Sequence, residues 1–116
     1  MTLRDAVLKA LDAKADAVAP DAKAAAELFS VVDVLDAQPP LRRSLSDPSA
    51  SPESREKLVN RLFAKQLRTG ALRIVEDLVV TGGLSARQLA DALERQAVRL
   101  LLRAAQRAGE LNEVQR

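Results

Sequence analysis

The residues best suited to chemistry in this chain are pairs of carboxylates. Asp33 lies three residues before Asp36, and Glu76 adjoins Asp77. Such a pair could share a proton in acid–base catalysis or hold a metal ion, but either task needs further groups. The chain has no histidine and no cysteine, so it lacks imidazole bases, thiolate nucleophiles and the usual zinc ligands. We therefore interpret these acids as solvated helix surface and predict no catalytic, cofactor-binding or metal-binding residues.

Gly82-Gly83 is the only glycine pair, and a phosphate-binding loop is the chemistry it could serve. The sequence around it lacks the Gly-x-x-x-x-Gly-Lys-Ser/Thr order that places amides and a lysine around a phosphate. We predict a helix stop instead.

A basic stripe recurs every four residues near the end of the chain. It consists of Arg95, Arg99, Arg103 and Arg107. The stripe could make an electrostatic contact with an acidic partner, or it could be the solvated face of a helix whose other face is apolar, which is the simpler interpretation. Nucleic acid is disfavoured because Phe29 and Phe63 are the only aromatic residues, leaving little on which bases could stack.

Composition favours one helical domain. The chain has 116 residues, 47% hydrophobic and 29% charged, with a net charge of +2. That length suits a single core, and the near absence of aromatic residues suits close packing of helices. No apolar run is long enough for a membrane span, and the first residues are too acidic for a signal peptide. We expect a cytoplasmic domain without direct membrane insertion, monomeric when isolated.

Hydrophobic periodicity predicts six helices and an all-α, compact six-helix bundle. The predicted helices cover about Leu3–Val18, Asp21–Ala37, Leu41–Leu45, Ser51–Lys65, Thr69–Thr81 and Ser85–Arg107. We predict a bundle domain over residues 1–108 and, over residues 109–116, the truncated start of a following helix.

Local signals set the predicted helix ends. Asp21, Ser51 and Thr69 are predicted N-caps, and Ser85 with Gln88 forms a predicted capping box. Gly109 is the predicted stop of the last long helix.

The predicted fifth helix carries more aliphatic surface than one buried face requires. Its apolar residues are Ala71, Leu72, Ile74, Val75, Leu78, Val79 and Val80. They span an arc of roughly 160°, against the 100° or so that one core contact needs. Either this helix is central and packed on two sides, or it offers a groove to another protein's amphipathic helix.

In the order of these elements the chain resembles the helical domain of the delta subunit of bacterial F-type ATP synthase, whose mitochondrial counterpart is the oligomycin-sensitivity-conferring protein. The run "AAAELFSVVDVLDAQPPLRRSLSDPSASPESREKLVNRLF" is similar to the family's second, third and fourth helices, and "ALRIVEDLVVTGGLSARQLADALE" to its fifth and sixth. The resemblance covers nearly the whole chain.

This resemblance implies a non-catalytic connector in the peripheral stalk, which ties the catalytic head to the membrane-anchored stator at the inner face of the cell membrane. Its implied partners are the N-terminal helices of the alpha subunits and the b-type stalk subunit, and it implies no cofactor. The implied partner-binding residues lie on the first and fifth helices: Leu3, Val7, Ala10, Leu11, Leu72, Ile74, Val75, Leu78 and Val79. A stand-alone helical adaptor, or a binder of nucleic acid or anionic surfaces, is the alternative.

Actinobacterial relatives carry an enlarged delta region with two tandem copies of this helical unit, in some cases fused to a b-type subunit. The end of the chain, "QAVRLLLRAAQRAGELNEVQR", parallels its own beginning, "RDAVLKALDAKADAVAPDAKAAAELF". We therefore expect an excised or truncated unit, either the N-terminal helical domain or the additional copy.

Overall fold

The protein is a bundle of six α-helices joined by short connections. The computed structural model describes residues 2–114, with residues 3, 4 and 111–114 described by their backbone alone. The helices are α1 (Leu3–Asp16), α2 (Ala22–Ala37), α3 (Pro39–Leu45), α4 (Pro52–Phe63), α5 (Thr69–Thr81) and α6 (Ala86–Val114). The described part of the chain contains no strand. The predicted all-α, six-helix class is confirmed.

Most predicted helix starts are confirmed by their capping bonds. The Asp21 carboxylate accepts a bond from an amide of the first turn of α2, and the Ser51 hydroxyl accepts one from the amide of Ser54 at 3.1 Å. Ser85 and Gln88 exchange the two bonds of a capping box, at 3.1 and 2.9 Å. These side chains satisfy amides that the first helical turn leaves without a backbone partner.

The predicted cap of the fifth helix is wrong. Thr69 is the first helical residue, and Arg68 occupies the cap position without a side-chain capping bond. The Arg68 amide instead donates to Oε1 of Glu27, a residue of α2, at 2.7 Å. A residue distant in sequence thus binds the amide of the cap residue. The local sequence gives no sign of such a contact.

The predicted stop at Gly109 is also wrong, because α6 continues without interruption to Val114. A glycine inside an exposed helix costs only about 1 kcal/mol relative to alanine, and good helix formers on both sides outweigh it. One continuous helix therefore crosses the predicted boundary between residues 108 and 109. The predicted last segment lies partly outside the described residues, since residues 115 and 116 are beyond them.

Helix α5 is the centre of the bundle. It packs against α1, α2, α4 and α6, while α2 and α6 lie along each other. Its residues Ala71, Ile74, Val75, Leu78 and Val79 are all buried. The first interpretation of the wide apolar arc, a central helix packed on more than one side, is the one that the structure shows.

Gly82-Gly83 ends α5 as predicted. Both glycines have positive φ angles, 68° and 75°, in the region that side chains with a Cβ rarely adopt. The guanidinium of Arg55, a buried residue of α4, lies against this turn: a Cβ at Gly82 would be 3.0 Å from its Nη2 atom. Arg55 also donates from Nε to the carbonyl oxygen of Val79 at 2.7 Å. Gly82-Gly83 is therefore a structural turn at the end of α5.

Candidate partner-binding site

The side chains of α5 predicted to bind a partner are largely inside the bundle. Ile74, Val75, Leu78 and Val79 are each 2% exposed. A partner helix has no access to them unless the bundle opens. Leu72 is half-buried and lies on the side of α5 that faces α4.

The predicted residues of α1 are spread over different environments. Leu11 is in the core, Val7 is half-buried against it, and Ala10 is exposed. The side chain of Leu3 lies outside the described residues. The predicted residues of α1 and α5 therefore do not line one common groove.

A cleft does open between α1 and α5, but other residues form it. This α1–α5 cleft, of about 730 Å³, is lined from the α1 side by Lys14, Ala17 and Val18. From the α5 side Gly70, Arg73 and Asp77 line it. Asp21 and Ala24 at the start of α2 also line it. An open cleft of this kind can take part of an extended or helical segment.

The floor of the α1–α5 cleft depends on Gly70. A Cβ at this position would lie 2.8 Å from Cγ1 of Val18, so the absence of a side chain lets the end of α1 approach the start of α5. Sequence reasoning missed this residue, although a glycine in the first turn of a helix is a signal of a close contact.

The rim of the α1–α5 cleft is charged. Arg68 lies 3.7 Å from Asp21 and 3.3 Å from Glu27 in two ion pairs. Arg73 and Asp77 extend from the outer face of α5, and neither takes part in an ion pair among the described residues. The cleft thus combines small apolar surface with charges of both signs. Such a surface can bind an amphipathic segment, and residues 2–110 contain no group of acids or histidines that could hold a metal.

Three residues of the arginine stripe lie along α1 and pair with it, while remaining partly exposed. Arg95 Nη2 lies 2.8 Å from Oδ2 of Asp12, and Arg99 Nη2 lies 3.0 Å from Oδ1 of Asp16. The buried amide of Gln96 donates to Oδ1 of Asp12 at 2.7 Å. The hydrogen bond from Arg95, helped by the Gln96 bond and the charge of Arg99, holds the pKa of Asp12 below its usual value.

Arg103 completes this contact at the end of α1. Its guanidinium donates to the carbonyl oxygens of Ala15, Asp16 and Val18, the last at 2.9 Å. The carbonyl oxygen of Ala15 also accepts a bond from the Val18 amide at 3.0 Å, and a cation at the end of a helix suits the helix dipole. Arg107 is exposed and lies in no ion pair among the described residues. Three of the four stripe residues therefore bind α1 from a partly exposed position, so the stripe is not only a solvated face.

No helix of the described part is both long and apolar enough to cross a membrane. No family model matches the chain. Among curated proteins, it is 38% identical over 96 residues to a protein named ATP synthase subunit delta from Acidothermus cellulolyticus, covering 83% of this chain and 35% of that protein. A protein of the same name from Streptomyces griseus is 42% identical over 106 residues, covering 90% of this chain and 39% of the relative. The predicted resemblance is confirmed, and the chain spans well under half the length of these relatives.

Proposed function

We propose that this chain, which belongs to the ATP synthase delta-subunit family, is a non-catalytic part of the peripheral stalk that holds a helix of another subunit in the α1–α5 cleft. The observation that carries this proposal is the cleft itself, an open space of about 730 Å³ bordered by the end of α1, the start of α2 and the start of α5. In the assembled enzyme the domain would lie at the inner face of the membrane without entering it.

The N-terminal helix of an ATP synthase alpha subunit is the proposed occupant, and the b-type stalk subunit is the second proposed partner. The cleft lies between the first and fifth helices, where the family resemblance places the alpha-subunit contact. Its residues differ from those that the resemblance implied, because the apolar arc of α5 is already used by the core. Small side chains such as Ala17 leave room for a partner's apolar side chains, each contributing about 1.5–3 kcal/mol if fully covered.

Titration with an alpha-subunit N-terminal peptide from the same organism, followed by amide chemical shifts, tests the proposal. We expect saturable shifts at Val18, Gly70 and Arg73, which border the cleft. Ala17→Trp should fill the cleft and weaken binding by about tenfold or more, which corresponds to about 1.4 kcal/mol.

Ala13→Trp provides the matched control, because Ala13 is equally exposed on α1 but does not line the cleft. Its affinity for the peptide should equal that of the unaltered protein. Absence of shifts at the cleft, or equal effects of the two tryptophans, would refute the proposal and leave a stand-alone adaptor with other partners as the better interpretation.

A further inference from the structure

A second cleft adjoins the first, between α4 and α5, and the two clefts share Thr69, Arg73 and Asp77. Its apolar floor is made by Leu67, Leu72 and Val80, all half-buried. Leu72 and Val80 are the part of the wide apolar arc that the bundle leaves partly exposed, in contrast to the buried residues of the same helix. The α4–α5 cleft is therefore where the surplus apolar surface of α5 remains accessible.

The rim of the α4–α5 cleft is acidic. Glu56 extends from α4, and Glu76 and Asp77 from α5, whereas Arg73 is the one cation that lines it. None of these three carboxylates lies in an ion pair within the described chain. The carboxylate of Glu76 is held in place by the Asn60 amide, which donates to its Oε2 at 2.9 Å. An apolar floor thus lies beside three carboxylates that outnumber the one cation of the cleft.

The carboxylates of this rim repel one another. Partial burial raises the pKa of Glu56, and hydrogen bonding to Glu76 together with the charges of Glu76, Glu53 and Asp77 raises it further. Like charges held this close favour an arriving cation, which relieves the repulsion as it binds. The electrostatics and the apolar floor therefore point to the same kind of ligand.

We propose that the α4–α5 cleft is a second docking site, which takes a basic amphipathic helix of another protein. Apolar side chains of that helix would cover Leu72 and Val80, and a lysine or arginine would lie between Glu56 and Glu76. Charge complementarity selects this occupant over an acidic helix or an anionic surface. The site adjoins the α1–α5 cleft and shares Arg73 and Asp77 with it, whereas Leu67, Leu72 and Val80 line the α4–α5 cleft and not the other. Shifts at these three residues therefore distinguish binding here from binding in the α1–α5 cleft.

The test uses a synthetic peptide of about 18 residues, long enough to form a helix, with leucines at i, i+3, i+4 and i+7 and lysines elsewhere. A matched peptide carries glutamates in place of the lysines. We expect the lysine peptide to give saturable amide shifts at Leu67, Leu72 and Val80 of the full chain, and the glutamate peptide to give none there.

Variants that neutralise the rim carboxylates then test whether these residues contribute to the affinity for the lysine peptide. Glu56→Gln with Glu76→Gln should raise the Kd of the lysine peptide by about tenfold or more. The Glu76→Gln side chain retains an oxygen for the Asn60 amide, so the fold should survive. Asp33→Asn with Glu94→Gln removes the same amount of charge from two exposed acids outside the cleft, and should leave the Kd within about twofold.

Three results would overturn the proposal. One is the absence of saturable shifts at the cleft, and another is a set of shifts confined to other faces, such as that of α6. The third is equal weakening by both pairs of substitutions, because that would show attraction by net charge alone. Circular dichroism of each variant confirms that a lost interaction is not a lost fold.

Discussion

Replacing Asp12 with alanine should destabilise the protein by about 2–3 kcal/mol, because this side chain joins α1 to α6. Asp12 is 16% exposed and Gln96 only 2%. The Gln96 amide would lose its acceptor, and an unsatisfied buried polar group costs about 1–3 kcal/mol. The lost ion pairs with Arg95 and Arg99, which are 52% and 29% exposed, add about 0–1 kcal/mol, since partly exposed pairs are screened by solvent.

Urea denaturation of a matched series measures this effect. Asp12→Asn keeps a side-chain oxygen for the Gln96 amide and should cost about half as much as Asp12→Ala or less. Adding Gln96→Leu to Asp12→Ala should recover about 1 kcal/mol or more, because no unsatisfied buried amide then remains. A loss below about 1 kcal/mol for Asp12→Ala, or no recovery in the double variant, would refute the reasoning.

Acid should weaken the same contact. The pKa of Asp12 is lower in the folded protein than its ordinary value, so the unfolded chain binds this proton more tightly. The stabilisation is therefore complete above the unfolded pKa of about 3.9 and is lost as the pH falls through the lower folded pKa. Urea titrations between about pH 5 and 2 should show this loss, and it should be smaller in Asp12→Asn.

Three further predictions concern the turn after α5, the last helix and the acidic cleft. Gly82→Ala should destabilise the protein more than Gly83→Ala. Both positions have positive φ, so placing an alanine at either costs about 1–2 kcal/mol. Only at Gly82 would the new methyl group also press on Arg55. Equal losses in urea denaturation would contradict this. Gly109→Ala should stabilise by about 0.5–1 kcal/mol and raise helicity by circular dichroism, since nothing lies near the new methyl; a loss of helicity would count against the continuous α6. Glu56→Gln should raise the melting temperature at neutral pH, because burial and neighbouring acids raise the pKa of Glu56, and the gain should fade at acid pH where the glutamate is protonated.

Helix type and order could be predicted from sequence because periodicity and caps are local. Asp21, Ser51 and Ser85 each precede an amphipathic run, and all three cap as predicted. Where a cap depends on a distant residue, as at Arg68 with Glu27, the local signal at Thr69 predicted the wrong position. Gly109 shows the converse. It is a local stop signal, yet α6 continues through it, because a single glycine lowers the stability of a helix only slightly.

The candidate site was harder to predict because apolar periodicity shows that a face is buried, not what buries it. Val75 and Leu78 have the spacing of a partner-binding stripe, yet the bundle itself covers them. The α1–α5 cleft depends instead on small residues such as Ala17 and Gly70, whose importance comes from what lies opposite. No pattern within one helix contains that information.

The arginine stripe shows how the same limit applies to charge. A basic residue every fourth position predicts one charged face, and Arg95 and Arg99 do share a face. The acids that they meet, Asp12 and Asp16, also lie four residues apart, but on a helix more than eighty residues away in sequence. The sequence therefore did contain a signal that α1 and α6 pair, because acids on one helix and arginines on the other have the same spacing. Since α1 places few large apolar side chains in the core, these polar contacts help to hold it against α6.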